Sequence, residues 1–109
     1  MGELSESAIA ELKATHAGHE LRLINAPDGS QLVVKSPDKT TYNMFMADVT
    51  NDRKDKAIAM EAYAKRCVVY PDRMAVEPLF TRYPAFGGNI AALLNEMAGS
   101  TVELDAKKL

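Results

Sequence analysis

The stretch Cys67–Gly99, CVVYPDRMAVEPLFTRYPAFGGNIAALLNEMAG, is built almost wholly from apolar side chains and helix punctuation. Tyr70-Pro71 and Tyr83-Pro84 are two stops, because a residue before proline is pushed out of the helical region. Pro78 inside a helix would cost about 3 kcal/mol. Asp72–Val76 therefore reads as a turn, and a short helix is expected from Pro78, with Leu79 and Phe80 inward. The last helix should begin between Pro84 and Asn89. Gly87 and Gly88 each cost roughly 1 kcal/mol inside a helix, which favours a start at Asn89. Ile90, Leu93, Leu94, Met97 and Ala98 then form a dense apolar stripe. Gly99 supplies the left-handed residue that ends it.

Upstream, a helix from about Asp52 to Val69 feeds into this stretch. Its stripe is Ala57, Met60, Ala64, Cys67 and Val68. Asp52 with Lys56 and Glu61 with Lys65 are i, i+4 pairs in the favourable order. Before it, Ser36-Pro37-Asp38 opens another helix, with Ser36 as cap and Pro37 at the first helical position. Tyr42, Phe45, Met46 and Val49 make its buried edge. Glu20–Ile24 alternates in the period of a strand, and Leu32–Lys35 is a second β-rich run. Between them Pro27, Asp28 and Gly29 stand in turn order, so a β-hairpin is expected near residues 20–36. Leu4–His16 reads as a short first helix capped by Ser5 or Ser7 and ended at Gly18.

The fold class is therefore α+β and predominantly α-helical, with one short β-hairpin packed on about four helices. Residues 1–99 form a single small domain and 100–109 a flexible C-terminal tail. The expected core is Leu21, Leu23, Leu32, Val34, Phe45, Val49, Met60, Ala64, Cys67, Val68, Leu79, Phe80, Ile90, Leu93, Leu94 and Met97. A chain of 109 residues buries roughly 65% of the surface its unfolded form exposes, enough for one modest core.

A formal net charge of −2 and scattered Lys and Arg argue against nucleic acid, which needs a concentrated basic field. One cysteine cannot close an internal disulfide, which fits a reducing, intracellular setting. Met1–Ser7 lacks an apolar signal segment and no apolar run approaches the roughly 18 residues of a membrane span. The expected location is the cytoplasm.

Catalytic and metal patterns are missing. His16 and His19 are separated by a helix end, and a metal site needs three or four converging ligands. Cys67 sits in an apolar stripe with no activating base. Gly87-Gly88 lacks the following Lys-Ser/Thr of a phosphate loop and reads better as a hinge or close helix packing. No enzyme, cofactor or metal is expected. What stands out instead is surplus apolar surface. Met44 should face away from the Tyr42–Val49 stripe, and Tyr63, Tyr70 and Phe86 exceed what one core requires. These four are the expected partner-binding residues.

Over Cys67–Gly99 the chain resembles the tail assembly chaperones of long-tailed bacteriophages. The shared layout is a helix ending in an apolar run and proline, Cys67-Val68-Val69-Tyr70-Pro71. A short helix ending in Tyr83-Pro84 follows, then a last helix ending at Gly99. The resemblance implies a protein made in the host cytoplasm that binds the tail tape-measure or tail tube protein during tail morphogenesis. It also implies a tendency to form homo-oligomers and, in some members, a frameshifted longer form. Physically, such a carrier needs an adaptable apolar groove and no irreversible chemistry. The other readings are a structural tail or head–tail connector protein of a virion, and a small protein-binding adaptor.

Overall fold

Eight elements follow one another along the residues described by the computed structural model, 4–100 and 106–108. They are α1 (Glu6–Thr15), β1 (Leu21–Asn25), β2 (Gln31–Lys35), α2 (Lys39–Thr50), α3 (Lys56–Cys67), β3 (Val68–Tyr70), α4 (Arg73–Arg82) and α5 (Phe86–Met97). The fold is α+β and mainly helical. Of the expected tail, 101–105 and 109 lie outside the described residues, and Ala106–Lys108 are exposed without regular structure.

The hairpin forms where its turn chemistry requires. Gly29 N–H donates to the Ala26 carbonyl at 3.0 Å, and Ser30 N–H donates to Asp28 Oδ1 at 2.9 Å. Gly29 has φ +88°, a left-handed conformation that glycine adopts without the Cβ penalty. Hydrogen bonding from Ser30 holds the Asp28 carboxyl below its ordinary value. The sheet has a third strand that the sequence reading missed. β3 pairs antiparallel with β2, giving the order β1-β2-β3, with a register shift between Val33 and Val34. The apolar run at the end of α3 leaves the helix at Val68 and turns extended, which suits its β-branched residues.

The register corrects the expected sheet core. Leu23 pairs with Val33 and Ile24 with Leu32. Leu32 and Val34 are fully buried and Ile24 packs against them, whereas Leu23 is 48% exposed and Leu21 only half-buried. Leu21 and Leu23 thus lie on the outer face, because strand side chains alternate and Leu32 and Val34 already claim the inner one. On that inner side α3 and α5 pack closely against each other.

Two helix starts differ from expectation. Asp38, not Ser36, caps α2, its Oδ1 accepting from Thr41 N–H at 2.7 Å. Ser36 is already engaged with the start of β1, its N–H donating to Glu20 O and its Oγ accepting from Glu20 N–H. The helix α3 begins at Lys56, later than the expected Asp52, with Asp55 as its cap. Lys56 accordingly meets the Val49 carbonyl at 2.7 Å, not Asp52, while Lys65 does meet Glu61 at 3.1 Å.

Pro78 lies inside α4, where a break was expected. Its missing N–H would have served the Met74 carbonyl. Met74 is solvent-exposed, so water can take that acceptor. Asp72 caps the first turn by accepting from Ala75 N–H at 2.9 Å, and Val76, Leu79 and Phe80 are buried. Burying three such side chains contributes about 1.5–3 kcal/mol each, which exceeds the proline cost. The helix α5 starts at Phe86, not Asn89, so both glycines lie in its first turn. It ends as expected: Gly99 has φ +101°, Gly99 N–H donates to Glu96 O, and Ser100 N–H donates to Asn95 O. This pair of bonds is the Schellman arrangement.

Candidate functional site

Of the four residues expected to contact a partner, two belong to the core. Tyr63 is fully buried, stacked on Phe45 with ring centroids 4.2 Å apart, and its hydroxyl donates to Asn95 Oδ1 at 3.2 Å. Burial pushes its phenol above the ordinary range. Phe86 is buried against Phe80 and Tyr83. Both corrections have one cause: α3 and α5 each bury a broader face than the stripe counted from sequence, Tyr63 meeting Phe45 of α2 and Phe86 meeting Phe80 of α4. Tyr70 is half-buried on the outer sheet face, in a recess under α1 with Leu12 and Ala8. Met44 is exposed on α2 as expected. The four do not converge on one surface.

The surface that does converge is built around Ile58. It is 67% exposed in the first turn of α3. On one side lies an open groove of about 550 Å³ between α3 and the α4–α5 junction, bordered by Ala57, Met60, Pro84 and Gly88. On the other side lies a second recess of about 310 Å³ with Ala59 and Ala62 on its floor and the charged residues Asp48, Lys54 and Asp55 around it. Small residues keep the walls low. At Gly87 an added Cβ would stand 3.2 Å from Glu61 Cα, so the two helices cross at backbone contact there. Lys65 braces the far end: its Nζ lies 2.6 Å from Glu77 and 3.1 Å from Glu61, and 5.4 Å from the centre of the Phe80 ring. Burial works against its charge, but the hydrogen bonds to Glu77 and Glu61 carry its pKa up.

Ile58 was invisible to the stripe reading because it falls beside Ala57 and not on the Ala57–Met60–Ala64–Cys67 edge. A large β-branched residue off the buried edge of its helix is the signal that could have marked it.

This surface can grip but has little to react with. Glu61, the carboxylate in the groove, is engaged by Lys65. Thr81 donates to the Glu77 carbonyl. Cys67 is fully buried, and burial pushes its thiol up to about 11. Among the described residues no three His, Cys, Asp or Glu side chains are grouped to hold a metal ion, and no helix is long and apolar enough to cross a membrane. His16 and His19 do not pair; His19 Nδ1 lies 2.9 Å from the Ser36 carbonyl.

The buried thiol gives a pH signature. Between about pH 9 and 10 the unfolded chain loses the Cys67 proton while the folded chain keeps it. The unfolded state then binds fewer protons, so stability falls with rising pH, by at most about 1.4 kcal/mol per unit. Urea titrations at pH 8 and 10 should show this fall, and Cys67→Ala should flatten it. An unchanged slope in the variant would remove the thiol as its source.

A family profile described as "Domain of unknown function (DUF6848)" matches residues 24–107. Among solved structures, the chain is similar to one described as the structure of uncharacterised protein rbstp2171 from Bacillus stearothermophilus. That likeness has a TM-score of 0.67 at 19% identity and covers 91% of this chain and 99% of that one. At that identity it supports the fold alone. No curated protein matches the sequence.

Proposed function

This chain belongs to the DUF6848 family, and we propose that it is a protein-holding module that receives an apolar helix of its partner in the groove beside Ile58. The observation that carries this reading is the exposed Ile58 beside a groove whose floor is mostly small or apolar (Ala57, Met60, Phe80, Pro84, Gly87, Gly88), with Glu61, Thr81 and Asn89 at its polar positions. A ridge of helix side chains spaced i, i+3, i+4 fits such a trough, and Met60 beside it is an adaptable contact. The groove's carboxylate, Glu61, is engaged by Lys65 and its Thr81 hydroxyl donates to the Glu77 carbonyl, so binding is what its chemistry supports best.

The finer reading follows from the Cys67–Gly99 resemblance. The module is a tail assembly chaperone acting in the host cytoplasm, and its client is the apolar helical region of a tape-measure or tail tube protein. Homo-oligomers would multiply weak contacts along so long a client. Co-expression with a tape-measure fragment should raise the soluble yield of that fragment several-fold. No rise would remove the chaperone reading. A stoichiometric copy in purified particles would favour the structural tail or connector reading instead.

A further inference from the structure

We infer that α1 is a strap, closing over the outer face of the sheet and opening from it while the rest of the domain stays folded. The face it covers carries Leu21, Leu23, Val33 and Tyr70, which the strand register places together. Val33 is buried although it points away from the α3–α5 core. Its cover comes from α1, whose Ile9 and Leu12 line a gap of about 180 Å³ over Leu21, Leu23 and Val33. A second recess of about 400 Å³ separates α1 from Tyr70. The fit is loose on both sides.

What holds α1 down is slight. None of its residues is buried, whereas α3 buries Ala59, Tyr63, Ala64 and Cys67. No ion pair among the described residues joins α1 to another element. The tie at its leading end is the Leu4 N–H donating to Gln31 Oε1 at 2.9 Å. A ten-residue helix is marginal in water by itself, so opening and fraying of α1 are coupled. The hinge is defined from the other side. His19 and Glu20 are fastened to Ser36 by contacts of 2.9 and 3.0 Å. Movement therefore stops there, and Gly18, at φ +93°, lies at the pivot between the fastened strand and the free helix. Opening exposes Val33, Leu21 and Tyr70 together, beside the unpaired edge of β1.

Native-state hydrogen exchange of the full chain tests this. The intrahelical amides of α1 should be protected at least about 100-fold less than those of α3 and α5, as expected for a sub-global opening. Protection of α1 within about tenfold of α3 would overturn the strap, since the two would then open together. The double substitution Ile9→Asp with Leu12→Asp should abolish α1 protection, raise binding of a hydrophobic dye several-fold, and leave α3 and α5 protection within about threefold. Loss of protection throughout the variant would make α1 integral to the core and overturn the inference equally.

Discussion

Tyr63→Ala is expected to remove about 3–5 kcal/mol of stability, the range for truncating a large buried ring. The ring is fully enclosed, lies 4.2 Å from Phe45 centre to centre, and carries the hydroxyl that meets Asn95 across the α3–α5 contact. Against a total of roughly 5–15 kcal/mol for an ordinary domain, much of the stability would go, and the melting temperature should fall on the order of 20 °C. Tyr63→Phe keeps the stack and loses only the hydrogen bond, so its cost should be about 1 kcal/mol. Urea denaturation of the two variants separates these contributions. A cost below about 1 kcal/mol for Tyr63→Ala would return this residue to the surface role that its surplus in the sequence suggested.

The second large effect is expected at Gly87. Gly87→Val should destabilise by about 2–3 kcal/mol, because overpacking against rigid atoms is not relieved by a rotamer change. The new Cβ would stand 3.2 Å from Glu61 Cα and 3.3 Å from Glu61 Cβ. Relief requires α3 and α5 to separate, and their contact is the centre of the core. The adjacent Gly88 is the control. A Cβ there meets only the Met60 Sδ and Cε atoms, at 3.6 Å. Gly88→Ala should therefore be neutral or stabilising by up to about 1 kcal/mol through helix propensity. Equal effects at the two positions in thermal melts would contradict the close helix crossing.

Local signals in the sequence were enough for the hairpin turn, the Gly99 stop and most of the stripes of α2, α3 and α5, although Met46, Ala57 and Ala98 are exposed and Val68 leaves α3 for β3. Each is fixed by residues a few positions apart. What escaped was decided by distant partners. Ser36 looks like a helix cap until β1 claims it. Pro78 looks like a break until buried Val76, Leu79 and Phe80 outweigh it. Leu21 and Leu23 look inward until β2 offers Leu32 and Val34 to the same core. Close helix packing at Gly87 was one of two readings of the glycine pair, and the contact with Glu61 selects it. The expected site suffered most, because a surplus of aromatic residues counts side chains without showing which of them the core consumes. Tyr63 and Phe86 were consumed, and Ile58 was left outside.

The most direct test is co-expression of a tape-measure fragment with the wild-type chain and with Ile58→Asp. Ile58 is mostly exposed, so the substitution should leave the melting temperature nearly unchanged, as surface changes usually do. The wild-type chain should raise the fragment's soluble yield and the variant should not. An equal rise with both chains would place binding elsewhere and contradict the groove beside Ile58 as the working surface.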